Sequence, residues 1–280
     1  MSSSKNFIGY WISLLAAPFL LIRAPCFGEI IETHDAKVIE TILEEADVNS
    51  LVIFDVDDVI LVPSPEFGFR GPLRKAFVKK LKSTHNQEQQ RHIWSAVFAK
   101  RTVRPVDPAI LKVIRDLSKR QVPTIALTGW WTGPYGPIPR MEDLRLRDLA
   151  QVGISFLHSS PFKRNMIFPH LKTQDGTPLL KSGVILTALG DKGAVLKQAL
   201  LEARLSFKKI IFIDDDLKNL QDVEKTCRSL GDFQGVHYTA SRLAVPYEST
   251  PEKEALRFEI LEKDHQWLTD KELQERVGGG

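Results

Sequence analysis

The sequence predicts an α/β fold: a Rossmann-like three-layer core with a mainly parallel sheet and a small helical cap inserted after the first strand. Three observations predict it. Strand-like apolar runs at Leu51–Phe54, Val122–Leu127 and Lys209–Ile213 alternate with stretches of helical periodicity, the pattern of a parallel sheet covered on both faces. Two of those runs end abruptly in carboxylates, as Asp55-Val56-Asp57-Asp58 and Asp214-Asp215-Asp216. Between the first and second runs lies a helical stretch bounded by Pro63-Ser64-Pro65 and Asp107-Pro108.

Taken in order, residues 1–28 read as a secretory signal peptide. Lys5 precedes an apolar run from Phe7 to Ile22, and small residues follow near Gly28. A membrane anchor is the rival, but the run is short for a span of about 20 residues and contains Pro18. Without this leader the chain carries 36 basic against 35 acidic residues and no basic tract, so nucleic acid is not an expected partner, and the membrane enters only through export. Cys26 leaves with the leader. Cys227 then has no partner for an internal disulfide, and its helical spacing with Leu220, Val223 and Leu230 marks a small core residue rather than a catalytic thiol.

A helical stripe, Val38, Ile42 and Ala46 with Ile39 and Leu43 beside them, leads into the first strand. Leu73, Phe77 and Leu81 form one stripe of the cap, and Ile93, Trp94, Val97 and Phe98 a second. Asp107-Pro108 opens a helix whose buried face is Ile110, Val113, Ile114 and Leu117, feeding the second strand, Val122–Leu127. Leu144, Leu149 and Val152 give a helix to Gly153, and Ile154–Leu157 a third strand. Met166-Ile167-Phe168 and Val184-Ile185-Leu186, around Asp175-Gly176-Thr177-Pro178, suggest a hairpin. Asp191-Lys192-Gly193 starts a helix before the fourth strand, Lys209–Ile213. A helix from Leu217 to Leu230 and a short strand, Gly235–Thr239, follow. The core thus spans residues 29–62 and 105–250, the cap 63–104, and a charged, helical C-terminal tail 251–280.

Two carboxylates crowded at a strand end repel unless a cation or a shared proton compensates. Two such strands point to one divalent metal serving both. The motifs Asp55-Val56-Asp57-Asp58-Val59, Ala126-Leu127-Thr128-Gly129, Lys192-Gly193 and Ile213-Asp214-Asp215 occur in that order. In this the chain resembles the haloacid dehalogenase-like (HAD) hydrolases from about Val48 to Thr239. The opening, Phe54–Asp58 with Leu61, Ser64-Pro65, Phe67 and Arg70-Gly71, looks like the secreted class B acid phosphatases. The run Asp214–Leu220 with His237-Tyr238-Thr239 looks more like an uncharacterised exported bacterial HAD-like family.

The resemblance implies an exported phosphomonoester hydrolase acting on a small phosphorylated substrate. Asp55 would be the nucleophile and Asp57 the general acid and base. Asp55, Asp215 and the backbone carbonyl of Asp57 would hold Mg²⁺, with Asp214 and Asn219 in its outer shell. Thr128, Gly129 and Lys192 would bind phosphoryl oxygens. Val59, where many such phosphatases have threonine, and Asn219, where an acidic residue is frequent, depart from the pattern. The alternatives are a noncatalytic phosphate- or metal-binding protein and a phosphotransferase. Trp130, Trp131 and Tyr135, and likewise Phe67, Phe69 and Arg70, could line a leaving-group pocket or pack a loop against the cap. The histidines, His92 and His158 among them, show no metal-ligand spacing.

Overall fold

The computed structural model describes residues 29–68, 71–243 and 247–278; the expected signal peptide lies outside them, as do Phe69 and Arg70. The chain begins with β1 (Glu29–Thr33), α1 (Ala36–Leu43) and β2 (Ser50–Phe54), then β3 (Leu61–Pro63), α2 (Pro72–Thr84), α3 (Gln87–Lys100) and β4 (Val103–Pro105). It continues through α4 (Pro108–Lys119), β5 (Thr124–Thr128), α5 (Met141–Gln151), β6 (Met166–Ile167), β7 (Leu179–Lys181) and β8 (Val184–Leu186). It ends with α6 (Lys192–Ala203), β9 (Lys209–Asp214), α7 (Leu217–Cys227), β10 (Asp232–Tyr238), α8 (Pro251–Asp264) and α9 (Asp270–Gly278).

One sheet runs in the order β1-β10-β9-β2-β5-β8-β7-β6, parallel from β1 to β8 and antiparallel at β7 and β6. Side chains alternate along each strand. Val52 and Phe54 of β2 join a cluster with Ile39, Leu43, Ile110, Ile114 and Leu149 from α1, α4 and α5. Leu51 and Ile53 point the other way, to Val195, Leu196, Leu220 and Val223 of α6 and α7. Both faces are covered, which is why the strands read as unbroken apolar runs and why the fold is a three-layer Rossmann-like α/β core.

Three sequence expectations shift. Ile154–Leu157 is not a strand. Ile154 and Phe156 are buried, giving the alternation expected of one, but the sheet position beside β5 is held by β8, paired Ala126↔Val184 to Thr128↔Leu186. The 154–157 segment instead lies over Gly183, at φ +78°, where a Cβ would come within 2.4 Å of the Phe156 carbonyl oxygen. In α1 the buried face is Ala36, Ile39 and Leu43, whereas Val38 is exposed. β1, unmarked by any sequence pattern, adds an edge strand to β10. Cys227 is buried, as expected of a core residue, and burial pushes its thiol up to about 12.

The segment between β3 and β4, an antiparallel pair outside the main sheet, is helical as expected. It does not stand alone: Phe77, Leu81, Ile93 and Val97 of α2 and α3 share one apolar cluster with Phe258 and Leu261 of α8 and with Trp267. Polar contacts fix the same junction. Asp270 accepts hydrogen bonds from Tyr247 and Arg257, and its amide donates to Glu66 (2.7 Å). The charged C-terminal segment therefore walls the helical insert rather than trailing from the core. Among the described residues, no helix is long and apolar enough to cross a membrane.

α6 ends on Arg204, an exposed residue in the left-handed region at φ 53°, ψ 40°. Glycine meets no Cβ clash there. Arg204→Gly is therefore expected to raise unfolding free energy by about 1 kcal/mol, read from the urea midpoint.

Candidate metal and phosphate site

β2 and β9 pair in parallel with Phe54 opposite Ile213, and the Asp55 amide donates to the Ile213 carbonyl (2.8 Å). Asp55 and Asp214 thus leave adjacent strands at one level, at the carboxyl edge where open α/β sheets bind ligands. Single carboxylate oxygens of Asp55, Asp214 and Asp215 lie within 4.8 Å of one another.

Lys192, in the first turn of α6, reaches into this cluster. Its ammonium is 3.0 Å from Asp55 Oδ1 and 2.7 Å from Asp214 Oδ2. Gly193 allows the approach: a Cβ there would sit 2.6 Å from Thr226 Oγ1 on α7, so the close contact of α6 with α7 needs glycine. Burial alone would push Lys192 down, but the flanking Asp55 and Asp214 carboxylates reverse this and raise it. Asp214, fully buried, also accepts from the Asp216 amide (2.8 Å) and from Asn219 Nδ2 (3.1 Å). Its lone pairs are largely committed. The Asp215 backbone carbonyl accepts from His237 Nε2 (3.1 Å) and Arg242 (3.2 Å), while its carboxylate has no ion-pair partner among the described residues.

Burial pushes the Asp55 carboxyl up to about 8, with Asp214 and Asp57 adding to the shift against the pull of Lys192. Burial, then Asp214 and Asp58, push Asp215 up to about 6. Crowded carboxylates with raised proton affinity also favour a hard divalent cation, which takes oxygen ligands at about 2.0–2.6 Å. The residues present fit such an ion: Asp55 and Asp215 offer carboxylate oxygens, and Lys192, Asp216 and Asn219 anchor Asp214 beside them.

Asp57 behaves differently. Its carboxylate is not part of the acidic trio: Arg101 donates to Oδ1 (3.1 Å) and Arg145 to Oδ2. Arg145 is completely buried, its guanidinium 3.8 Å from the centre of the Trp130 ring, and Arg101 stands 5.0 Å from the same ring. Burial would raise Asp57, but the two guanidiniums outweigh it and hold the carboxyl below its ordinary range. Asp148, buried and raised by desolvation, lies 3.6 Å from Arg101 and 3.2 Å from Arg147. Neither Arg101 nor Arg145 stands out in the sequence. Arginine in a helical pattern normally reads as a solvated face.

Asp55, Asp57, Thr128, Gly129, Lys192 and Asn219 line one cleft of about 550 Å³, with Arg74, Arg101, Trp130 and Trp131 on its walls. Thr128 is delivered by β5, the neighbour of β2 on the side away from β9. Trp130 is a buried platform for the arginines, and its indole donates to the Met141 carbonyl (3.0 Å). Tyr135 is buried against Phe98, with ring centres 5.3 Å apart.

Residues 32–274, most of the chain, match the family described as "Protein of unknown function (DUF2608)". The chain belongs to this family. No curated protein and no solved structure matches this DUF2608 chain.

Proposed function

We propose that this DUF2608 protein is a Mg²⁺-dependent phosphomonoester hydrolase of the HAD-like kind, exported by residues 1–28 and acting through an aspartyl-phosphate on Asp55. One observation carries the reading. Asp55 sits at a strand end between a buried lysine and two further aspartates, facing a cleft that Thr128 and Gly129 also line. A carboxylate attacks a phosphate ester only when cations and amides neutralise the phosphoryl oxygens. Lys192 spends two of its three N–H bonds on Asp55 and Asp214, leaving one for a phosphoryl oxygen. Thr128 and the Gly129 amide supply further donors. Asp55, Asp215 and the Asp57 carbonyl would hold the metal, which when bound would supply positive charge against the phosphoryl oxygens. Attack forms the Asp55–phosphorus bond as the ester oxygen leaves with a proton from Asp57. Water, deprotonated by Asp57, then releases phosphate and restores Asp55.

The arginine clamp on Asp57 favours a second reading, noncatalytic binding of a phosphorylated ligand. In the hydrolase reading a phosphoryl dianion draws Arg101 from Asp57 toward the cleft it already lines, and Asp57 becomes basic enough to carry the proton. Assay of the purified protein on a panel of phosphomonoesters, with Mg²⁺ and with EDTA, separates the two. Turnover abolished by EDTA supports the hydrolase; binding of phosphate without turnover of any ester supports the rival. Mg²⁺ alone is expected to stabilise the fold by about 2.7 kcal/mol at 100 times its Kd, seen as a rise in Tm that EDTA reverses. An unchanged Tm would remove the metal from the site.

A further inference from the structure

A side chamber adjoins the cleft. Pro63, Arg74, Phe98 and Arg101 line both spaces, and behind them a cavity of about 150 Å³ lies between the helical insert and the C-terminal segment. The insert contributes Phe67, Trp94 and Phe98, all partly exposed, and the far wall is Phe258 and Trp267. The rings of Phe258 and Trp267 meet edge-on at 5.9 Å, and Phe67 is tilted 6.2 Å from Trp267. Arg101 reaches the chamber with its Nε turned to Asp148 Oδ2 at 3.6 Å, so the guanidinium is held by the acids behind it.

Size and chemistry select the occupant. The chamber's volume of about 150 Å³ is that of a cavity holding one benzene-sized ring, and five aromatic side chains line it together with Arg74 and Arg101. Aromatic walls favour the edges and faces of another aromatic ring over a hydrated sugar or a charged group. We propose that this chamber binds a single aromatic ring on the alcohol side of the phosphomonoester, making small aryl and heteroaryl phosphates the preferred substrates. The phosphate end of this proposal rests on the hydrolase reading; the ring rests on the chamber alone. It differs from a pocket formed by Trp130, Trp131 and Tyr135, because the ring lies against α3 and the segment after α8.

Calorimetric titration of the full chain with Mg²⁺ tests it, using phosphonates that cannot be hydrolysed. Phenylphosphonate or benzylphosphonate is expected to bind at least about 10-fold tighter than methylphosphonate, equivalent to 1.4 kcal/mol. Val97→Phe fills the chamber from α3 and is expected to reduce that preference to about 2-fold or less. Equal affinities for all three phosphonates in the unmodified protein would overturn the proposal whether or not the variant folds. A ring preference without turnover of phenyl phosphate keeps the chamber and removes the hydrolase. Turnover without a ring preference does the reverse.

Discussion

Asp55→Asn is expected to lower kcat on every phosphomonoester by at least about 10³-fold, the scale on which loss of a nucleophile acts, while the protein folds normally. The amide keeps the size of the carboxylate but cannot form a stable acyl phosphate. Stability should hold or improve. Burial pushes the Asp55 carboxyl up to about 8, with Asp214 and Asp57 adding to the shift; an amide meets no such penalty because it does not ionise. Lys192 keeps Asp214 as its counterion at 2.7 Å. A metal-free variant with Tm at or above that of the unmodified protein, and no turnover, is the expected pair of readings. Residual turnover near the original rate would exclude Asp55 as nucleophile.

Asp57→Asn is expected to differ from it in stability. Arg101 and Arg145 are both buried, and Asp57 is the anion they share. Removing its charge leaves Arg101, Arg145 and Arg147 with Asp148 as the acid among them. Breaking a buried pair costs about 3–5 kcal/mol, and because the Asp57 side chain is 39% exposed the loss here is reduced to about 2 kcal/mol. Urea unfolding should show this loss without Mg²⁺, and kcat should fall as well because proton transfer is lost. A variant as stable as the original would mean that the arginines do not depend on Asp57.

These contrasting roles were only half legible in the sequence. Lys192, in the first turn of α6, is legible only through the resemblance, whereas Asp55 and Asp214 are legible because a fully buried strand is a distinctive string of apolar residues, and a carboxylate at its end has few structural uses. Their meeting follows from the adjacency of β2 and β9. The partners of Asp57 could not be found, since a helical arginine gives the same signal whether it faces water or, like Arg145, lies on a buried tryptophan. Ile154–Leu157 was misread because alternating burial does not reveal whether the backbone pairs with a neighbour. In the C-terminal segment, Phe258, Leu261 and Trp267 are scattered among charges, so their packing against the insert has no clear periodic signature.

The pairing of β2 with β9 also bears on how the protein is made. Asp55 and Asp214 are far apart along the chain, so a cation can be gripped only after that long loop has closed and its entropy has been spent. An ion that recognises only the finished arrangement leaves the speed of folding unchanged and instead delays the escape from the native state.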